Sequence, residues 1–228
     1  MKVVLLHAFP LDERMWAPQQ PALEGHDVVA PNLYELGGNS IDGWAEHMLS
    51  ELENEFVAMG ASMGGYAALA LARRAPEQVR ALLLAGARPN ADSAERRAGR
   101  AATIELIEEQ GPGALWENQR EKLFDEQAPA RVVELARQMA LSRDRDELRR
   151  AVEAIRDRSD NTDVLRSHPV VLALGASDVY FPVDEARVFA EASPQSRLVV
   201  FEHSRHLPNL EQPDEFNVLL SELLQAAG

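Results

Sequence analysis

The sequence predicts an α/β fold in which a mostly parallel sheet of about six strands is covered by helices on both faces and carries a helical insertion. Short apolar, β-branched runs alternate with amphipathic helical stretches in the first and last parts of the chain. Strands that are apolar along their whole length are typical of a parallel sheet buried on both faces. Between these parts, from about Ser93 to Arg158, the apolar residues follow helical spacing only.

The sheet is predicted from six runs: Val3–Leu6, Val28–Ala30, Phe56–Met59, Ala81–Leu84, Val170–Leu174 and Leu198–Phe201. The helices predicted between and after them are Ile41–Glu53, Met63–Ala75, Val183–Ala192 and Pro213–Ala226. The insertion is expected to hold three or four helices, because Gly111-Pro112-Gly113 separates one helix from the next and Pro129 suits a first helical turn. We assign residues 1–87 and 168–228 to the α/β core and residues 88–167 to the insertion.

Composition excludes several classes of function. The 228 residues include 23 basic and 37 acidic side chains, a formal net charge of −14, and no cysteine. Disulfides, thiolate metal sites and a cysteine nucleophile are therefore excluded. The acidic surplus disfavours nucleic acids and anionic membrane surfaces, and it suits a neutral or cationic substrate better than a polyanionic one. Most of this charge lies on the core, since Arg88 to Arg166 hold 15 basic and 17 acidic residues.

No apolar run approaches the roughly 18 residues that span a bilayer. The first predicted strand also leaves no room for a signal peptide, so we expect a cytoplasmic protein, as a monomer or homodimer.

The motif Gly60-Ala61-Ser62-Met63-Gly64 lies between a predicted strand and a predicted helix. This setting is typical of a nucleophilic serine held on a sharp turn, where the two glycines remove side chains that would collide. The alternative is a glycine-rich turn in which Ser62 only caps the helix.

The first strand ends in His7-Ala8-Phe9-Pro10-Leu11-Asp12, an irregular loop expected at the same edge of the sheet as the serine. Backbone N–H groups of Phe9 and Met63 could converge on the oxygen that becomes negative when Ser62 attacks a carbonyl, which would make an oxyanion hole. We interpret His7 as a loop organiser and Asp12 as a helix or turn cap.

Together, the two segments resemble the α/β-hydrolase superfamily, in particular small esterase-like members that open with His-Gly-Phe-Pro-Leu-Asp-x-x-Met-Trp. Here the segment reads HAFPLDERMW, with Ala8 in place of the usual glycine. The resemblance covers nearly the whole chain. It implies a helical cap at the position of the insertion and a catalytic triad in the order serine, acid, histidine.

The triad acid implied by this resemblance is Asp178, in the Gly-x-x-Asp segment that follows a late strand. A turn-capping role for Asp178, or an acid at Asp92, are the alternatives. The implied base is His206, which precedes Gln212-Pro213 in the family's register; His203 is the alternative, and Arg205 stands where the family often has glycine. A serine, histidine and carboxylate of this kind need no metal or other cofactor.

An apolar substrate pocket is expected between the insertion and the sheet. Its predicted lining is Met15, Trp16, Trp116, Phe124, Met139 and Phe181, with Leu115, Leu123, Tyr66 and Pro182 as further candidates. Plain core packing is the alternative for each of them.

The resulting functional hypothesis is a serine hydrolase that cleaves small to medium carboxylic esters through an acyl-enzyme on Ser62. Two alternatives remain. One is an enol-lactone or carbon–carbon bond hydrolase with the same triad, and the other is a slow-turnover ligand-binding receptor of this fold.

Overall fold

A computed structural model describes residues 1–228. All six strands form one sheet in the order β2-β1-β3-β4-β5-β6, and every neighbouring pair is parallel. The strands are β1 (Lys2–Leu6), β2 (Asp27–Val29), β3 (Phe56–Ala61), β4 (Val79–Ala85), β5 (Val170–Gly175) and β6 (Ser196–Phe201). The predicted parallel sheet is therefore confirmed.

Nine α-helices connect and cover these strands: α1 (Ile41–Leu49), α2 (Met63–Arg74), α3 (Ala94–Leu123), α4 (Ala130–Leu141), α5 (Arg145–Arg156), α6 (Val164–Ser167), α7 (Val183–Glu191), α8 (Pro208–Glu211) and α9 (Pro213–Ala227). None of them combines the length and the apolar character that crossing a membrane requires.

The sheet separates two hydrophobic cores. Because side chains alternate along a strand, Val4 and Leu6 of β1 enter one core and Val3 and Leu5 enter the other. The first core includes apolar residues of α1, α2 and α7. The second includes those of α9 and of the segment after the first loop. Both faces of the sheet are therefore covered, as its apolar strands predict.

The segment Glu13–Leu23 forms a 3₁₀ helix that was not predicted from the sequence. Asp12 caps it, since its side chain accepts a hydrogen bond from the Arg14 N–H, at 3.2 Å. Pro18 and Pro21 lie inside the helix and lack the N–H that an α-helix needs there. The capping role expected for Asp12 is confirmed.

The insertion contributes α3 to α6, between β4 and β5. Helix α3 is broken at Gly111, whose φ of 79° and ψ of −173° are not helical. Pro112 follows directly, where a second helical segment begins. The break predicted at Gly111-Pro112-Gly113 is confirmed, and it gives α3 two arms that point in different directions.

All the strands run in the same direction, so their carboxyl ends meet at one edge of the sheet. A loop leaves this edge after each of the six strands. Ligands bind open α/β sheets in the crevice at this edge.

Candidate active site

Ser62 occupies a strained turn between β3 and α2. It is the one non-glycine residue of the chain with a positive φ, at 47°, with ψ at −111°. Its N–H donates to the Ala85 carbonyl of β4 at 2.7 Å, which fixes the turn to the neighbouring strand. Its hydroxyl is not used as a cap for α2. The geometry therefore favours a nucleophilic serine over the capping alternative.

Three glycines make this turn sterically possible. A Cβ on Gly60 would collide with the backbone of Gly64, and a Cβ on Gly64 would collide with the carbonyl of Leu6 in β1. A Cβ on Gly65 would collide with the side chain of Ala87. The serine loop is thus packed against backbone on both sides, which leaves it no room to relax.

Asp178 and His206 form a buried pair. His206 Nδ1 lies 2.9 Å from Asp178 Oδ2, and both side chains are almost inaccessible to solvent. The other carboxylate oxygen of Asp178 accepts hydrogen bonds from the N–H groups of Tyr180 and Phe181, at 2.8 and 3.0 Å. With Nδ1 bound to the carboxylate, Nε2 is the ring nitrogen that remains for proton transfer.

The imidazole of His206 is held between two other groups. The ring of Tyr180 meets it edge-on, with the ring centroids 4.8 Å apart. Gly86, which follows β4, has a φ of 59°, and a Cβ there would come within 2.9 Å of the imidazole. Burial raises the pKa of Tyr180 to about 12, so its phenol is neutral at physiological pH. Packing therefore fixes the plane of the imidazole.

A buried carboxylate, Glu211, organises the loop that carries His206. Its Oε1 accepts hydrogen bonds from the Ser204 hydroxyl at 2.7 Å, the Arg205 N–H at 3.0 Å and the Leu207 N–H at 3.3 Å. Its Oε2 accepts one from the N–H of Asp125, at 2.6 Å, in the link between α3 and α4. Burial raises the pKa of Glu211, although these hydrogen bonds act in the opposite direction.

The loop after β1 is held by burial and hydrogen bonds as well. His7 is fully buried, and its Nε2 accepts a hydrogen bond from the Leu33 N–H at 2.9 Å. Burial lowers the pKa of His7 to about 4, so the ring stays neutral, as this hydrogen bond requires. Ala8 does not have a positive φ and does not need the conformational freedom of glycine. Its N–H donates to Met15 Sδ at 3.1 Å. The structure supports the interpretation of His7 as a loop organiser.

Ser62 and His206 open into one cavity of about 330 Å³, which is the size of a small-molecule site. Phe9, which follows His7 and Ala8, also lines it. The other lining residues are Tyr66, Arg88, Arg96, Gly99, Arg100, Thr103, Asn118, Gln119, Lys122, Leu123, Ile155, Val179 and Tyr180. Both arms of α3 contribute, so the break at Gly111 wraps this helix around the cavity.

The predicted apolar lining was largely wrong. Of the residues expected there, only Leu123 and Tyr66 line the cavity. The others lie outside it: Met15, Trp16, Trp116, Phe124 and Met139 are buried in one core, Phe181 and Leu115 are buried in the other, and Pro182 precedes α7. Burying large apolar side chains removes more surface from water than lining an open cavity, and this favours the core for them.

The polar lining did have a signal in the sequence. Arg96, Gly99, Arg100 and Thr103 recur at helical spacing, as do Asn118, Gln119, Lys122 and Leu123. Each set forms one face of an arm of α3. A mostly polar face on a helix of the insertion contacts either solvent or a polar cavity, and the sequence pattern is the same in both cases. Only the fold distinguishes the two.

The alternative candidates lie elsewhere. Asp92 is buried against Arg100 and Arg158, at 3.1 and 2.7 Å, and not against His206. His203 is exposed, and its N–H donates to the Gln212 side chain at 2.9 Å. Arg205 points away from the cavity, because its guanidinium donates to the Glu121 carbonyl at the end of α3.

Comparison with known proteins agrees with the fold described above. Residues 3–218 match the model of the alpha/beta hydrolase family. A pimeloyl-[acyl-carrier protein] methyl ester esterase from Aromatoleum aromaticum is 28% identical over 98% of this chain and 98% of its own length. Among solved structures, a malate-bound thermophilic esterase from Thermogutta terrifontis is 30% identical, with a TM-score of 0.91 over 100% of this chain and 90% of that one.

An enol-lactonase from Burkholderia xenovorans is 23% identical, with a TM-score of 0.86 over 98% of this chain and 91% of that one, and it shares the fold. The chain therefore belongs to the alpha/beta hydrolase family. Its relatives include esterases, and together they support a hydrolase.

Proposed function

We propose that the protein is a serine esterase that cleaves small to medium carboxylic esters, with Ser62, His206 and Asp178 as its catalytic triad. The observation that carries the proposal is the buried His206–Asp178 pair, at 2.9 Å, which opens into the same cavity as a serine held on a strained turn. The esterases among the relatives support the same reaction class.

In the first half of the reaction, the Ser62 hydroxyl attacks the ester carbonyl. A serine hydroxyl is a poor nucleophile at neutral pH, so Nε2 of His206 accepts its proton as the bond forms. Asp178 holds the Nδ1–H of the imidazole, which fixes the tautomer and stabilises the positive charge on the ring. The Tyr180 and Phe181 N–H groups keep the carboxylate in place for this role.

The negative oxygen of the tetrahedral intermediate would be bound by the N–H groups of Phe9 and Met63. Phe9 lines the cavity beside Ser62. Met63 is the first residue of α2, where the N–H groups have no partner in the helix's own hydrogen-bond ladder. The positive end of the helix dipole lies at the same place and favours a negative oxygen.

His206 then returns its proton to the alcohol oxygen as the ester bond breaks, and the acyl group remains on Ser62. A water molecule gives its proton to His206 and attacks the acyl carbonyl, which releases the carboxylic acid and regenerates the serine. The residues of the insertion that line the cavity would form the cap over this reaction.

The test compares wild type with Ser62→Ala on a panel of short- and medium-chain esters that includes a lactone. We expect Ser62→Ala to lower kcat by about 10³-fold or more, because nucleophilic attack is lost. Ser50→Ala is the control, since Ser50 is exposed at the end of α1 and bonds only the His47 carbonyl. A serine-directed phosphonate should label wild type and Ser50→Ala but not Ser62→Ala.

The outcomes separate the alternatives. Equal hydrolysis by wild type and Ser62→Ala would show that Ser62 is not the nucleophile. Turnover of the lactone alone would favour a lactone hydrolase. Labelling of Ser62 without turnover of any ester would favour a slow-turnover binding protein of this fold.

A further inference from the structure

The cavity carries the opposite charge to the rest of the molecule. Four basic side chains line it, and no aspartate or glutamate does. They are Arg88, Arg96, Arg100 and Lys122. The whole chain has a net charge of −14, so this concentration of cations departs from its average composition. The overall charge had suggested a neutral or cationic substrate, and the cavity lining indicates otherwise.

Carboxylates behind the cavity compensate these cations only in part. Glu185 of α7 lies 2.7 Å from Arg88 and 3.2 Å from Arg96, so one carboxylate serves two guanidinium groups. Asp92 is likewise shared by Arg100 and Arg158. Lys122 forms no ion pair, and its Nζ donates only to the Asn118 side chain, at 3.3 Å. Four guanidinium groups therefore share two carboxylates, and Lys122 has none.

The basic side chains that line the cavity differ in how many of their nitrogen atoms remain free to bind a ligand. The side chain of Arg88 is 4% exposed, and its Nη atoms donate to Glu185 and to the Tyr180 carbonyl. The side chain of Arg100 is 24% exposed and bonds Asp92 through Nε, which leaves its two terminal nitrogens to the cavity. Lys122 is exposed at the cavity as well. The side chain of Arg96 is 34% exposed and bonds Glu185 through Nη2 only, so it also keeps nitrogens free. Arg100 and Lys122 are the free donors that line the cavity from the two arms of α3 without depending on Glu185.

We propose that the substrate carries a carboxylate in addition to its ester bond, and that Arg100 and Lys122 bind this carboxylate; the proposal rests on the esterase function above. A guanidinium presents two parallel N–H groups that match a carboxylate, and an ammonium adds charge without fixed direction. A cavity of about 330 Å³ suits a small half-ester of a dicarboxylic acid. Binding this group would also compensate the surplus positive charge of the cavity.

The test uses two methyl esters of matched length, monomethyl glutarate and methyl pentanoate, which differ by a carboxylate in place of a methyl group. For wild type we expect kcat/KM to be about tenfold or more higher for the glutarate ester. Lys122→Gln and Arg100→Gln should each lower this ratio about tenfold. Asp92 keeps Arg158 as its partner in Arg100→Gln, and Lys122→Gln breaks no ion pair.

Arg131→Gln is the matched control, because Arg131 is exposed on α4, does not line the cavity and changes the net charge by the same amount. Its ratio should equal that of wild type. The proposal would be overturned if wild type had nearly the same kcat/KM for both esters, or if Arg131→Gln lowered the ratio of the two kcat/KM values as much as Lys122→Gln and Arg100→Gln do. Either result would leave the esterase function intact.

Calorimetry with monomethyl glutarate tests binding independently of hydrolysis. Ser62→Ala should bind the half-ester, and Ser62→Ala with Lys122→Gln should bind it about tenfold more weakly. Equal affinity in both proteins would overturn the proposal. If wild type hydrolyses neither ester but the double variant still binds monomethyl glutarate more weakly than Ser62→Ala, the result would support carboxylate recognition and contradict the esterase function.

Discussion

The two sides of the cavity are built by different means. On the sheet side, Ser62 and His206 are held by backbone contacts that only glycines permit and by buried carboxylates that accept N–H groups. On the insertion side, long charged side chains such as Arg100 reach the cavity from helix surfaces and are held by shared ion pairs. The proposed chemistry therefore depends on a fixed backbone, whereas the proposed substrate selectivity depends on side chains that can be replaced.

The largest expected effect on stability comes from replacing a glycine by alanine, once on the sheet side of the cavity and once on the insertion side. Gly64→Ala places a Cβ against the carbonyl of Leu6, inside the sheet, and should lower the free energy of unfolding by more than about 3 kcal/mol. Gly99→Ala, in the first arm of α3, meets no atom within 4 Å. It should raise the free energy of unfolding by about 1 kcal/mol, because alanine favours a helix interior over glycine. Urea unfolding of both variants measures these changes. Equal changes in the free energy of unfolding would contradict the difference between the two sides of the cavity.

The next effect is a loss of stability in acid that depends on the sheet side. Folding requires a neutral His7, whose pKa falls from 6.5 to about 4 in the folded protein. Between these values the unfolded state binds a proton that the folded state does not, so stability decreases as the pH falls from 6.5 to 4. The loss attributable to His7 is about 3 kcal/mol.

Denaturant unfolding from pH 7 to pH 4 checks this, with His7→Gln as the comparison. A glutamine can accept the Leu33 N–H without titrating, so its stability should fall less over this range. Parallel pH profiles for the two proteins would show that His7 does not cause the loss.

The smallest expected effect concerns Glu211, the carboxylate that touches both sides. Glu211→Gln replaces one acceptor oxygen by an NH₂ group that faces an N–H donor, so we expect a loss of about 2 kcal/mol in the free energy of unfolding. Because the loop of His206 is then less well held, kcat should fall about tenfold with little change in KM. Glu215→Gln, at an exposed position of α9, is the control. Unchanged kcat in Glu211→Gln would limit this carboxylate to a structural role.

Local features made the sheet and the serine turn predictable. The glycines around Ser62 lie within a few residues of it, and the strand and helix that flank it have clear patterns. The choice of Asp178 and His206 came from a family resemblance, and the structure brings these two side chains together.

The cavity lining was not predictable in the same way. Trp116 and Lys122 lie in the same arm of α3, and either could face the cavity; the direction of that arm is set by the break at Gly111 and by packing against distant helices. Gly86 and Glu211 were missed for a related reason. Their contacts with His206 and Asp125 join segments far apart in the sequence.

Three hydrogen bonds join the end of α3 to the loop of His206. The Arg205 guanidinium donates to the Glu121 carbonyl, the His206 N–H donates to the Leu123 carbonyl at 3.2 Å, and Glu211 accepts the Asp125 N–H. The same stretch supplies Lys122 and Leu123 to the cavity. A shift of the backbone in this stretch would therefore also displace the base, whereas exchange of a side chain such as Lys122 would leave these hydrogen bonds intact.

The first arm of α3, which carries Arg96 and Arg100, has no hydrogen bond to that loop. Its residues can be exchanged while His206 keeps its place. Insertions, deletions and backbone shifts among relatives with this architecture should consequently concentrate in the first arm, and the backbone of the second arm should change more slowly.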